Sequence, residues 1–265
     1  MDTILLILAV LALCVFIFYL PLKHRKKTIV ETLPLPDSYK TILLADVLFY
    51  RNLSDEKKLE FETRMMHFLA TTRITGIKTE VEETDKVYIA ASAIIPIFGF
   101  PHWEYINLHE VLLYPDSFNH EFEQSGEGRN VLGMVGDGAL NNVMVLSKHE
   151  VRQGFINKTG KENTAIHEFV HLVDKTDGST DGIPTFFVDK QYVLPWVQQI
   201  HKEIKRIFDN KSDINPYGTT NEAEFFAVVS EYFFERPDLL KSKHPELYEL
   251  LTKIFHQQPD MRNKK

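Results

Sequence analysis

Cysteine is nearly missing from this chain of 265 residues: the only one is Cys14, inside an N-terminal apolar run. A lone cysteine excludes a disulfide within one chain and any cysteine-ligated metal. Zinc ligands, if there are any, must be His, Asp or Glu. Positive charge is in deficit too. The formal net charge is −7, and residues 1–27 carry +3, from Asp2 against Lys23, Arg25, Lys26 and Lys27, which leaves −10 on the remainder. A body this acidic argues against nucleic-acid binding. No internal repeat is visible. With 44% hydrophobic and 25% charged residues the composition is globular, with room for one large domain or two small ones.

The apolar run, residues 4–22, also lacks the marks of a cleaved signal peptide. No positive charge precedes it, and no small-residue cleavage site is visible. The bulky Leu13 beside Cys14 argues against a lipoprotein box. As a helix its nineteen residues span about 28 Å, close to a bilayer core of about 30 Å. The flank Lys23-His24-Arg25-Lys26-Lys27 follows at once. The positive-inside rule places that end, and all that follows, in the cytoplasm. The expected organisation is a single-pass transmembrane anchor with its basic flank, residues 1–27, then one domain, residues 28–265. Leu33-Pro34-Leu35-Pro36 reads as a short stiff linker.

The chain is organised around Ala165-Ile166-His167-Glu168-Phe169-Val170-His171-Leu172-Val173-Asp174, which contains H-E-x-x-H. Helix positions four apart are rotated by only about 40°. His167 and His171 therefore project from one face and can share a zinc ion. Glu168 lies beside that face, where its carboxylate can reach an activated water without ligating the metal. Ile166, Phe169, Val170 and Val173 cover the other sides, so this is a buried helix with a polar stripe.

Around it, residues 54–70 repeat apolar side chains at helical spacing. Residues 79–98 are expected as strand, from the alternation of Val87, Ile89 and Ala91, with Pro96 and Gly99 ending it. Residues 111–114 form another candidate strand. Two short strands, 131–135 and 142–147, flank Gly136-Asp137-Gly138, and residues 119–130 read as loop. The second of these strands runs just before the metal helix, where a zinc peptidase often has a sheet edge that pairs with an extended peptide. The metal helix is expected over 161–175. Pro195 sits at a plausible first helical position, before the stripe Trp196, Ile200, Ile204 and Ile207. Thr219 and Glu222 have capping-box spacing before a helix reaching Phe234, and Pro245 opens the last helix.

A third ligand has two candidates. Glu224 and Glu231 share one face of a mostly apolar helix, where a charge is costly unless paired, and a zinc ion would pair Glu224. Asp177 stands six residues after His171, where another zinc-peptidase class places its third ligand. That class uses a glycine for the intervening turn, and here the position holds Asp174. Glu224 is the stronger candidate. Two neutral imidazoles and one carboxylate leave zinc at net +1 with a position open for water. Asp174 and Glu231 each read equally well as partners of a ligand histidine or as ordinary surface carboxylates.

These residues resemble the Mlc titration factor A family of zinc metallopeptidases over roughly residues 114–258. The likeness rests on IHEFVHLVDKTDG at 166–178, on Asp181-Gly182-Ile183-Pro184, and on Tyr217-Gly218-Thr219-Thr220. It continues through Glu224-Phe225-Phe226-Ala227 to Glu231-Tyr232-Phe233-Phe234. The catalytic helices also look like those of anthrax lethal factor. The resemblance implies zinc on His167, His171 and Glu224, with Glu168 as general base and Tyr217 stabilising the oxyanion. It also implies an α+β, zincin-like domain, mostly helical with a small mixed sheet, of gluzincin type. Known members show aminopeptidase-type activity, and one binds a sugar-responsive repressor. The expectation is a membrane-anchored zinc peptidase acting on a peptide or protein substrate. The alternative is a membrane-tethered protein that sequesters a cytosolic regulator, with zinc structural.

Overall fold

The computed structural model describes residues 33–117, 133–135 and 142–260. The apolar run 4–22, the basic flank, Cys14, the loop 119–130 and Gly136-Asp137-Gly138 lie outside the described residues. Among the described residues no helix is long and apolar enough to cross a membrane.

Helices dominate. In chain order they are α1 (Asp37–Asp46), α2 (Leu48–Arg51), α3 (Asp55–Thr71), α4 (Glu83–Ile97) and α5 (Lys148–Ile156). Then come α6 (Thr164–Asp174), α7 (Lys190–Phe208), α8 (Glu222–Glu235), α9 (Pro237–Lys243) and α10 (Pro245–Phe255). Four strands, β1 (Arg73–Gly76), β2 (Glu110–Tyr114), β3 (Gly133–Val135) and β4 (Val143–Ser147), form one sheet in the order β1-β2-β4-β3. The first three in that order run parallel, and β3 pairs antiparallel with β4, Met134 opposite Val145. The domain is thus mostly helical with a small mixed sheet, as expected.

Residues 79–98 correct the sequence reading: they hold α4, not a strand. Every side chain from Val87 to Ile97 is buried. A segment buried on all sides has no polar phase, so its apparent alternation carries no period, and its length of 15 residues is that of a helix. Pro96 lies in its last turn rather than ending a strand. Each large apolar side chain fully buried there contributes about 1.5–3 kcal/mol. Arg64 on α3 closes the far end of α4. Its guanidinium donates to the carbonyls of Ile97, Phe98, Phe100 and Trp103 at 2.9–3.4 Å. The N-terminal end is fixed by Asp85, which accepts the Glu82 N–H at 2.9 Å and pairs with Arg152 and Lys148.

Two helix starts also differ from expectation. α7 begins at Lys190, so Pro195 lies inside it; the missing N–H leaves the Gln191 carbonyl without its helical partner. α8 is capped by Asn221, whose side chain accepts from the Glu224 N–H at 2.9 Å. Thr219 belongs instead to a 3₁₀ turn, Pro216–Thr219. The end of α8 before Pro237 and the start of α10 at Pro245 agree with the sequence reading.

β4 is not the sheet edge. It is covered on one side by β2 and on the other by β3, so β3 is the outer strand among the described residues. α6 packs between α4 and α8 and also meets β3 and β4. Phe226 and Phe233 of α8 stack against Phe255 of α10 and Phe234 meets it edge-on, so the apolar side of α8 is packed behind its polar face.

Candidate metal centre

α6 starts at Asn163, whose side-chain oxygen accepts the Ile166 N–H at 3.2 Å. The same residue is gripped by α8. Its backbone N–H donates to Oε2 of Glu231 at 2.5 Å, and its side-chain amide donates to Glu235 at 2.9 Å. Two carboxylates one turn apart on α8 thus hold the beginning of the helix that carries both histidines. Burial pushes the Glu235 carboxyl up to about 7, against the hydrogen bond from Asn163.

His167 lies between two glutamates of α8. Its Nε2 is 2.9 Å from Oε2 of Glu224, and its Nδ1 is 2.7 Å from Oε1 of Glu231. His171, one turn on, brings its Nε2 to 3.6 Å from the same Glu224 oxygen. The two imidazoles meet edge to face with centroids 4.7 Å apart. One ligand atom from each of His167, His171 and Glu224 lies within 4.8 Å of the others. Burial disfavours the imidazolium of His167, but Glu224 and Glu231 outweigh it and raise its pKa to about 10. Burial likewise opposes charge on Glu224, and its bonds to His167 and His171 prevail, holding it at about 2. The cluster is built to keep an anionic Glu224 beside a cation. Two imidazole nitrogens and one carboxylate oxygen converging on a point suit zinc, and leave room for a fourth donor.

Glu168 sits beside the cluster, 6% exposed, and burial pushes its carboxyl up. The backbone of β3 passes directly over it. A Cβ added at Gly133 would fall 2.6 Å from Glu168 Cγ and 2.7 Å from its Oε1, so only glycine leaves that carboxylate its place. Tyr217 stands on the 3₁₀ turn before α8, where Asn215 accepts its backbone N–H at 2.9 Å. Its ring lies 6.1 Å from that of His167 and is 54% exposed. Burial, with the charges of Glu224 and Glu168, raises its hydroxyl pKa.

The structure thus brings together all five residues singled out in the sequence. It turns Asp177 away: that carboxylate accepts from Thr185 and from the Ser179 N–H. Glu231, whose sequence left two readings open, is a histidine partner. Asp174 is fully buried, and one of its oxygens accepts the Gly182 N–H at 2.8 Å. Burial raises its carboxyl to about 6, against that bond. Sequence reasoning missed Asn163 and Gly133. An asparagine just before an apolar helical run is a capping signal that identifies the first. Nothing in the sequence marks the second, because its role depends on which strand crosses Glu168.

A sequence profile of the glucose-regulated metallo-peptidase M90 family matches residues 22–256. The chain belongs to that family. Similar proteins include an uncharacterised protein of Synechocystis sp., 29% identical over 252 residues, or 90% of each chain. Mlc titration factor A of Pectobacterium atrosepticum is 29% identical over 225 residues, 78% of this chain and 82% of the relative. Mlc titration factor A of Escherichia coli SMS-3-5 is 26% identical over 224 residues, again 78% and 82%. Membership agrees with the family resemblance read from the motifs. A metallopeptidase family implies a bound metal, and the donor set at His167, His171 and Glu224 fits one.

Proposed function

We propose that this M90 protein is a zinc-dependent peptidase, anchored in the membrane through residues 4–22 with its catalytic domain in the cytoplasm. The observation that carries the chemistry is the buried carboxylate of Glu168 beside the converging atoms of His167, His171 and Glu224. Those three residues would hold the zinc ion. Zinc bound there supplies Lewis-acid activation of a water and of the scissile carbonyl.

Glu168 is the general base. It takes a proton from the attacking water as the oxygen adds to the peptide carbonyl carbon. It then delivers that proton to the departing nitrogen as the C–N bond breaks. A carboxyl raised by burial is better matched to both transfers near neutral pH than an ordinary one. Tyr217 donates its hydroxyl hydrogen to the developing oxyanion, an interaction of the kind worth about 3 kcal/mol. Its exposure puts it on the face that substrate must approach. Glu231 keeps His167 oriented from behind. Aminopeptidase specificity is part of the proposal, on the strength of the resemblance.

Glu168→Gln is the deciding substitution. It should retain fold and zinc while lowering peptide hydrolysis by about 10²–10⁴-fold, because glutamine cannot accept the proton. Wild-type turnover by that variant on every cleaved peptide would refute the mechanism. Protease treatment of spheroplasts tests the topology, and digestion of the body from outside would contradict it.

The relatives' name favours a second reading. Two of them are called Mlc titration factor A, a name that describes holding a regulator. Under that reading this chain sequesters a cytosolic regulator at the membrane. Glu168→Gln separates the two, since sequestration would survive it. A zinc-loaded wild type that cleaves nothing in a diverse peptide pool would favour the second.

A further inference from the structure

Two ligand histidines on one helix have unequal support. His167 has its Nδ1 against Glu231. His171 has its Nδ1 buried with no hydrogen-bond partner. A histidine that binds a metal through Nε2 carries its proton on Nδ1, which becomes a donor that needs an acceptor. An acceptor in the same condition lies nearby. Oδ1 of Asp174 is likewise buried and without a partner. The two residues are three apart on α6, so their side chains are neighbours on one face of the helix. Asp174 is fully buried, so its unmatched oxygen has no recourse to solvent.

The other oxygen of Asp174 is occupied. It accepts the Gly182 N–H at 2.8 Å, while the Gly182 carbonyl accepts the indole N–H of Trp196 at 2.7 Å. Gly182 adopts a left-handed φ of 74°. A Cβ there would fall 2.2 Å from the carbonyl oxygen of Glu222. The loop backbone at Gly182 therefore lies against the first turn of α8, two residues before Glu224. One carboxylate thus holds the spacer that seats the helix of the third ligand and keeps its other oxygen unmatched, three residues from a ligand histidine.

We infer that Asp174 is the positioning residue for His171, accepting its Nδ1–H in the zinc-bound protein, and that through Gly182 it couples His171 to the start of α8. The inference rests on the zinc-site reading above. It makes Asp174, at the end of α6, and Gly182, in the loop that follows, part of the metal centre, although neither is a ligand.

The test measures zinc affinity by chelator competition on the full-length chain in detergent, with wild type, Asp174→Asn and His171→Ala. Asparagine can keep its oxygen on the Gly182 N–H, but its amide then faces the histidine N–H, donor against donor. Zinc affinity should fall by about 10- to 100-fold, the usual effect of losing such a partner. The thermal midpoint of the metal-free chain should stay near wild type, because the Gly182 contact survives. If Asp174→Asn fails to fold, ¹⁵N-histidine NMR of zinc-loaded wild type decides. A protected Nδ1–H is expected on His171, beside those of His167 and of the buried His244, whose Nδ1 faces Glu203, and correlations from each ring to its own backbone assign it. Unchanged affinity in Asp174→Asn, or an unprotected His171 Nδ1–H in wild type, overturns the inference alone. A wild type that binds no zinc, or a His171→Ala that binds it equally well, overturns the site reading and this inference with it.

Discussion

Glu231 joins the first ligand histidine to the beginning of its own helix. One oxygen lies 2.7 Å from His167 Nδ1, and the other accepts the Asn163 N–H at 2.5 Å. A single side chain of α8 therefore sets both where α6 starts and how His167 is turned. Glutamine at 231 keeps one acceptor and presents an amide to the second donor. Zinc affinity measured by chelator competition should fall by about 10- to 100-fold, and metal-free stability by about 1–3 kcal/mol in urea titration. Equal zinc affinity in Glu231→Gln would show that His167 needs no such partner.

The site was more legible than its surroundings. H-E-x-x-H fixes its own geometry through the helical period, and the later helix offers Glu224 on a mostly apolar surface at a half-buried position, so local pattern was enough to single out these residues. Glu231 and Asp174 were undecided because their role depends on tertiary neighbours: α8 meets α6 only in the fold. The error at residues 79–98 has a different origin. α4 is buried all round, and periodicity carries no information where every phase is apolar. β4 was misplaced as an edge because chain order says nothing about which strand pairs outside it. Asn221, not Thr219, caps α8 because Thr219 is drawn into the 3₁₀ turn that carries Tyr217.

Arg64 should matter to stability without touching the site. Its guanidinium satisfies four carbonyls at the end of α4, a helix that packs on α6. Methionine keeps much of the stem and removes every donor. The expected loss is about 2–4 kcal/mol, since charge-assisted bonds contribute about 1.5–3 kcal/mol each and the carbonyls regain water only in part. The urea midpoint of Arg64→Met reports it, and a change under about 0.5 kcal/mol, the size of an ordinary surface substitution, would contradict it.

Acid should attack the fold through Asp213. Partial burial opposes its charge, but bonds from Lys161, His244, Lys243 and Tyr232 prevail and hold its carboxyl far below the usual range. Its folded pKa is depressed, so its contribution is complete above the unfolded value of about 4 and is lost as pH falls below that. Asp213→Asn should lower stability at pH 7 by about 1–2 kcal/mol, a modest figure because the carboxylate is partly solvated and screened. The variant should also show a flatter loss of stability below pH 4. Parallel acid limbs for the two proteins would assign that loss to other carboxylates.

Gly133 tests whether the position of Glu168, and not merely its presence, controls turnover. The β3 backbone leaves no space above that carboxylate: an alanine methyl would come within 2.6 Å of Glu168 Cγ. Contacts that short cannot persist, and the flexible carboxylate is the partner that yields. A displacement of about 1 Å at a reacting group costs up to about 100-fold, so kcat of Gly133→Ala should fall by about 10- to 100-fold. Zinc content should not change, because His167, His171 and Glu224 lie on α6 and α8, away from the added methyl. Glu168→Gln supplies the decisive comparison. Glutamine keeps the shape of the side chain but cannot accept the proton, so displacing it costs little further. Adding Gly133→Ala to Glu168→Gln should therefore cost less than adding it to the wild type, a coupling read from a double-mutant cycle in kcat. Strictly additive effects would mean that Gly133 acts on turnover by another route, such as the edge that β3 presents.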